Sequence, residues 1–327
     1  MKFLIIRFSS IGDIVLTTPV VRCLKQQLPD AEVHYLTKKS YKGIIEKNPY
    51  VDKLHILGDD WNAMTALLKA EQFDVVIDLH NNLRTWRIKT ALKKAQSFSF
   101  NKLNYEKWLL TAFKINKLPA VHIVERYLET VASFGIRNDG KGLDYFIPQK
   151  DIVPITDLPV SHMHGFIGIV IGAALNTKKL PVPKLKELCS KIDHPIILLG
   201  GPEDKAEGDA IAKDDDIKIY NACGKFNLNQ SADLVRKAKL IITHDTGLMH
   251  IAAALQKRII SVWGNTVPGF GMGPYYGNYE IKSILYEVEN LSCRPCSKIG
   301  YRQCPKGHFK CMELQDIDAI SKMALQQ

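Results

Sequence analysis

Two short stretches carry residue types arranged for chemistry: "SSIGD" (9–13) and "HDTGLMH" (244–250). In each, an apolar run stops at small polar residues and a glycine, and a helix-compatible sequence begins. A helix start presents N–H groups without intrahelical partners and about half a positive charge, so it receives phosphate or carboxylate. Gly12 and Gly247 allow the backbone to approach a ligand closely. Ser10, Asp13, Asp245 and Thr246 are also ordinary helix-capping types, so simple capping is the alternative reading of either turn. Two such turns in one chain favour a bound anion. His250 falls one turn into the second helix, where it contacts the ligand, caps the loop, or is satisfied by the core.

The elements that must position these turns are legible as buried strands alternating with helices. "FLIIRF" (3–8), "VHYLT" (33–37), "KLHIL" (53–57) and "DVVIDL" (74–79) are near-continuous apolar runs of the kind that fill parallel sheets. Helical patterns over 14–28 and 61–72 separate them; Pro19 either kinks the first or marks a helix start capped by Thr18. "IPQKDIVPITDLPVSHMHG" (147–165) holds three prolines and little periodicity, a linker by composition. The alternation then restarts, with strands at 166–172, 195–201, 217–222, 239–244 and 258–264 and helices near 182–192, 203–213 and 230–238. The expectation is an α/β protein of two Rossmann-like, doubly wound domains, 1–150 and 151–327, facing a central cleft. Ligands of such sheets bind beyond the carboxyl ends of the strands, where "SSIGD" and "HDTG" both lie.

Composition narrows the class further. The 327 residues are 46% hydrophobic and 24% charged, an ordinary globular balance with length for two cores. No run approaches the roughly 18 apolar residues of a membrane span, and the opening "MKFLIIRFSS" is too short in its apolar part for a signal peptide. Seven cysteines, an odd number without an export signal, point to a reducing cytoplasm. A net charge of +10 predicts an anionic partner: nucleic acid, nucleotide or anionic lipid surface. Neither a G-x-x-x-x-G-K-[ST] loop nor a G-x-G-x-x-G turn after the first strand is present, which argues against P-loop NTPases and Rossmann dehydrogenases. "DDD" (214–216) precedes a strand's amino end, away from the ligand side, and reads as a solvated turn.

At the level of whole motifs the chain resembles glycosyltransferase family 9, the ADP-heptose:lipopolysaccharide heptosyltransferases. The residues that carry the resemblance are "RFSSIGDIVLTTPVVRCLKQQLPDAEVHYLT" near the start and "HDTGLMHIAAALQKRIISVWGNTVPGFGMGPY" later. "DVVIDLHNNLRT" (74–85), "NTKKLP" (176–181) and "LLGGPED" (198–204) stand between them in the family's order. The resemblance implies a GT-B fold with the acceptor on the N-terminal domain, the ADP-sugar on the C-terminal one, and the last helix (313–325) near the domain junction. It places the donor's nucleotide against Asp245, Thr246, Gly247, Leu248 and His250. It also matches Lys178 to a phosphate-binding lysine, with Lys179 as the neighbouring fallback. Leu180 stands where the family often has tryptophan. Asp13 matches the family's proposed general base; a helix N-terminus would depress its pKa and burial would raise it. A single base with direct attack implies inversion at the anomeric carbon. Lys178 and the helix start would take the place of a metal at the diphosphate, so no cofactor is expected for catalysis.

The acceptor side is expected to involve Ser10, Gly12, His80, Asn81, Asn82, Arg84 and Arg87. The segment 83–117 has nine basic residues against Glu106 alone, suited to an anionic lipopolysaccharide core or lipid A at the inner face of the cytoplasmic membrane. Trp86 and Trp108 are expected to pack rather than insert into a membrane. Cys293, Cys296, Cys304 and Cys311 form "CRPC…C…HFKC", a candidate structural zinc set whose second pair is loosely spaced; reduced structural thiols are the alternative. A basic nucleic-acid-binding protein with that cluster as its zinc module is the rival reading, though it leaves both turns unexplained and no RNA-recognition aromatic motif is present. An oxidoreductase is a weaker third.

Overall fold

The computed structural model describes residues 1–281 and 283–326, which form two compact units. The first comprises Met1–Lys102, Val121–Phe146 and Tyr275–Tyr279; the second comprises Leu103–Ala120, Ile147–Pro274 and Glu280–Gln327. The basic segment 103–117 thus clusters with the second unit, where Lys114 Nζ donates to the carbonyl oxygens of Pro295 (2.8 Å) and Cys293 (3.2 Å).

The first unit is built on β1 (Lys2–Ile6), β2 (Glu32–Lys38), β3 (Lys53–Leu57), β4 (Val75–Asp78) and β5 (Gln96–Ser99). All pair in parallel in the order β3-β2-β1-β4-β5, so the winding reverses between β1 and β4. Leu4, Ile6, Leu36 and Val76 from the strands meet Met64, Leu68 and Ile88 from helices in one buried cluster. Burying these side chains, at about 25 cal/mol per Å² of apolar surface, is the dominant force holding helix to sheet. β5 escaped the sequence reading because its four residues, "QSFS", are mostly exposed and lack an apolar run. The stretch 14–28 is two helices, Ile11–Val15 and Thr18–Gln27, with Pro19 in the first turn of the second, where a missing N–H costs nothing. The residue at the cap position is Thr17, not Thr18. Both hydroxyls instead donate backwards at 2.7 Å, to the carbonyls of Ile14 and Val15, and so close the preceding helix.

The second unit contains β6 (Ile167–Val170), β7 (Ile196–Leu199), β8 (Ile219–Asn221), β9 (Leu240–His244), β10 (Ile259–Trp263) and β11 (Ile284–Glu287). They too are all parallel, in the order β11-β10-β9-β6-β7-β8, with the reversal between β6 and β9. The C-terminal helix Ile317–Leu325 buries Ile317 and Ile320 in the same cluster as Leu185 and Leu188 of the helix Val182–Lys191. The Pro-rich stretch 147–165 forms three 3-10 turns, each begun after a proline (Pro148, Pro154, Pro159). It is tied to the second unit where Val153 N–H donates to the buried carboxylate of Asp233 at 2.9 Å. The "DDD" triplet is an exposed turn between the helix Lys205–Ala212 and β8. Among the described residues no helix is long and apolar enough to cross a membrane.

Candidate active site

In each unit the polar turns fall at the point where the strand order reverses, the place where open parallel sheets bind ligands. In the first unit β1 runs into Arg7 and "SSIGD", and its neighbour β4 runs into His80, Asn81 and Asn82. Ser10 caps the short helix Ile11–Val15, and Gly12 is buried within it. Asp13 is held on both carboxylate oxygens: Oδ2 accepts from Ser10 N (3.1 Å) and Ser10 Oγ (2.8 Å), while Oδ1 pairs with Arg7 Nη2 at 2.7 Å. Burial pushes its pKa up, but the Arg7 charge and the Ser10 hydrogen bonds outweigh it. The carboxyl is held below the usual range and is ionised at neutral pH.

Arg7 was not singled out from the sequence, although a charged residue inside the run "FLIIRF" was the signal. It is 8% exposed and donates to Ser9 O (2.7 Å), Leu79 O (2.6 Å) and Tyr127 Oη (3.1 Å), besides its pair with Asp13. It therefore ties the ends of β1 and β4 together with Asp13 as part of the knot. His80 packs on Phe8, ring centroids 4.8 Å apart, and burial together with the Arg7 and Lys102 charges lowers its pKa to about 4. It is neutral at pH 7. Asn81 and Asn82 are exposed but already employed: Asn81 Nδ2 donates to Phe100 O at 3.0 Å, and Asn82 Oδ1 accepts from Thr85 N at 3.0 Å to cap the helix Leu83–Ala91. Arg84 is exposed on that helix; Arg87 lies over the Trp61 ring at 4.2 Å.

Neither Trp86 nor Trp108 is a core residue, at 58% and 52% exposed, but Trp108 packs at the surface, its ring meeting Phe113 edge-on at 5.1 Å and Tyr105 at 6.1 Å. Thr85 and Ile88 hold the buried stripe of one helix and Leu109 and Leu110 that of the other, which turns each indole outward.

In the second unit Lys178 ends the turn Asn176–Lys178, beyond β6, and reaches the loop beyond β9: its Nζ lies 2.6 Å from Asp245 Oδ2. Thr266, after β10, donates to the same oxygen at 3.0 Å and so fixes the carboxylate that fixes the lysine. Thr246 occupies the cap position of the helix Gly247–Ala254 but makes no side-chain cap, and residues 245–248 are partly exposed. The first N–H groups of an α-helix have no intrahelical partner, so Gly247 and Leu248 carry such donors, directly after the Asp245–Thr246 pair whose carboxylate holds the Lys178 ammonium. His250 is buried, 2% exposed. His244, at the end of β9, accepts the Leu180 N–H on Nε2 at 2.9 Å, and burial drops its pKa to about 3. That bond pins the "NTKKLP" turn to β9, a tie the sequence did not reveal. Leu180 itself is core. Lys179 points elsewhere, pairing with Asp204 (2.8 Å) and Glu207 (2.6 Å). A cavity of about 380 Å³ is lined by Asn176 and Thr177 of this turn together with Arg302, Gln303, Cys304, Gly307 and Phe309.

All seven cysteines are free. Cys296 Sγ donates to Cys293 O at 3.1 Å, and Cys311 is buried. The fold gathers the four cysteines of the "CRPC…C…HFKC" stretch, Cys311 feeling the charges of Cys296, Cys304 and Cys293. Among the described residues, the one set of three or more His, Cys, Asp or Glu ligand atoms within 4.8 Å of one another lies elsewhere.

Paired doubly wound sheets, each with its polar groups gathered at the strand-order reversal, define the GT-B class of glycosyltransferase. The comparisons with known proteins agree: residues 61–302 match glycosyltransferase family 9 (heptosyltransferase), and the chain belongs to that family. It is 24% identical over 305 residues to lipooligosaccharide heptosyltransferase 2 of Haemophilus influenzae, covering 83% of this chain and 85% of that one. It is 25% identical over 301 residues to lipopolysaccharide heptosyltransferase 1 of Escherichia coli K12, covering 85% and 92%. Among solved structures, an E. coli heptosyltransferase with ADP superposes with a TM-score of 0.69 at 22% identity, covering 99% of both chains. The protein is a glycosyltransferase of the bacterial lipopolysaccharide heptosyltransferase family, and the comparisons lend no support to the nucleic-acid-binding alternative.

Proposed function

We propose that the protein transfers a heptose, or a closely related sugar, from an ADP-sugar to an inner-core lipopolysaccharide acceptor with inversion at the anomeric carbon. The observation that carries the donor half is the Lys178 ammonium, held by Asp245 beside the uncapped start of the helix Gly247–Ala254. The diphosphate oxygens of the donor accept from Lys178, from the Thr246 hydroxyl and from the N–H groups of Gly247 and Leu248. As the glycosidic bond to diphosphate breaks, charge grows on those oxygens, and donors already in place stabilise it without reorganisation. Asp245 is the anchor of Lys178 rather than a phosphate ligand, since a bare carboxylate beside diphosphate repels it. The E. coli neighbour solved with ADP supports this nucleotide.

In the first unit Asp13 takes the proton from the attacking acceptor hydroxyl. Its ionisation at neutral pH, with one oxygen on Arg7 and the other on Ser10, keeps the carboxylate oriented. A diphosphate is a good leaving group, so a modest base suffices. Arg84 and the neighbouring basic residues receive the anionic acceptor, at the inner face of the cytoplasmic membrane.

A panel of nucleotide-sugars, read by product mass and anomeric configuration, tests the reading directly. ADP-heptose should be used in preference to UDP- and GDP-sugars, and initial rates should be unchanged by EDTA. Loss of transfer in EDTA restored by magnesium or manganese would show that a metal, not Lys178, carries the diphosphate charge.

A further inference from the structure

Away from both turns, the first sheet brings together three side chains that the proposed reaction does not use. β2 and β3 are parallel neighbours whose register sets His34 opposite Lys53 and Leu36 opposite His55. Alternation then puts His34 and His55 on one face as diagonal neighbours. His34 is fully buried, and its Nδ1 lies 2.9 Å from Nε2 of His55. Its other nitrogen, Nε2, lies 2.7 Å from Glu32 Oε1. An ionised carboxylate only accepts, so His34 Nε2 carries the hydrogen and Nδ1 presents its lone pair toward His55. Glu71, which follows the helix Trp61–Ala70, brings Oε2 to 3.9 Å from the same Nδ1. The three ligand atoms all lie within 4.8 Å of one another, and Phe73 meets both imidazoles edge-on, closing the apolar side.

We propose that His34 Nδ1, His55 Nε2 and the Glu71 carboxylate form a site for a divalent first-row cation, zinc foremost, that clips β2, the edge strand β3 and the end of the helix Trp61–Ala70 together. The donor set is one that zinc favours, and bonds of about 2.0–2.2 Å in a tetrahedron set ligand atoms roughly 3.3 Å apart. That spacing lies between the 2.9 and 3.9 Å found here. Glu32 supplies the outer carboxylate that fixes the tautomer and orientation of a metal-bound histidine. Three protein ligands leave a fourth position for water, and the half-buried His55 on the edge strand gives the ion its entry. Glu71 also pairs with Lys2 (3.2 Å) and with Lys53, whose side chain is 56% exposed. Lys2 holds Oε2, the oxygen that faces His34, and Lys53 holds Oε1, so the cation displaces Lys2 from Oε2 and competes with the Lys53 charge for the same carboxylate. The site lies toward the amino ends of the strands, so its role is to hold the sheet edge, not to take part in transfer.

The test uses the full chain, stripped with chelator, with Cys293, Cys296, Cys304 and Cys311 replaced by Ser to remove thiolate binding. Zinc chloride is titrated by calorimetry and cobalt(II) by visible absorption. One zinc per chain is expected, with cobalt bands of nitrogen and oxygen ligation and no thiolate charge transfer. E32Q should weaken zinc by about 10–100-fold, the range that outer-carboxylate changes produce, and H55A, which removes a ligand outright, should weaken it more than E32Q does. K53M should tighten it, an effect a purely structural network would not show. If the Cys-to-Ser chain does not fold, the same comparison is made as zinc stoichiometry of the otherwise unaltered chain against H55A. Equal zinc binding with and without His55, or none in the Cys-to-Ser chain, overturns the proposal.

Discussion

Replacing Asp13 by Asn removes the proton acceptor and changes little else in volume. A positioned general base contributes about 10²–10⁴-fold in rate. Arg7 and Ser10 hold Asp13 below the usual carboxylate range, which weakens it as a base and places the loss toward the lower part of that interval, roughly 10²–10³. Sequence alone suggests that Asn at this position keeps the helix cap at little cost. The structure adds a cost: the amide cannot accept from Arg7 and from both Ser10 donors at once, and Arg7 loses its counter-charge while only 8% exposed. Leaving one buried donor short costs about 1–3 kcal/mol, a fall of a few degrees in Tm for a chain of this size. The assay is single-turnover sugar transfer at saturating donor, beside ADP affinity and thermal melting. A folded Asp13→Asn variant that turns over within a few-fold of wild type would refute the assignment. Asp13 would then be a cap and anchor for Arg7, and the neutral His80 the next base to test.

The linked pH dependence has a definite sign. Because the folded-state pKa of Asp13 is depressed, its stabilising ion pair is present above the ordinary carboxylate range and is lost only as pH falls below it. The acid limb of kcat/KM should therefore lie below that range, and Arg7→Lys, which loses the fork that reaches Asp13, Ser9, Leu79 and Tyr127 together, should move it upward. Lys178→Ala should cost on the order of 3 kcal/mol in turnover, about 10²-fold, with a smaller loss of ADP-sugar affinity. Lys179→Ala should leave turnover per folded molecule intact but lower the urea midpoint, since it strands the buried Asp204. Arg84→Glu should weaken acceptor use and binding to anionic vesicles, each basic residue contributing about 1 kcal/mol, with ADP affinity unchanged. Arg87→Glu should in addition cost stability, because it gives up the stack on Trp61.

What the sequence by itself determined was whatever leaves a local period or a local break. Strands buried on both faces read as apolar runs, so β1, β4, β6, β7, β9 and β10 were legible, and with them the alternation that implies parallel sheets. Glycine and capping residues immediately after such runs marked "SSIGD" and "HDTG" as ligand turns. β5 and β11 were not legible: each has four residues, β5 mostly exposed and β11 partly burying only alternate residues, so neither shows the apolar run of a strand buried on both faces and each depends on the neighbour it pairs with. The tertiary structure alone decided how the functional side chains are held. Lys178 meets Asp245 across 67 residues because β6 and β9 are adjacent in the sheet, and Thr266 joins them from β10. Of two consecutive lysines, only the geometry of the turn pinned by His244 sends Lys178 to the helix start and Lys179 to Asp204. In the same way β2 and β3, by pairing, set His34 against His55. Such partners leave no trace in a linear pattern because their energy comes from charge and hydrogen bonding between segments, and chain topology, not sequence spacing, sets which segments touch.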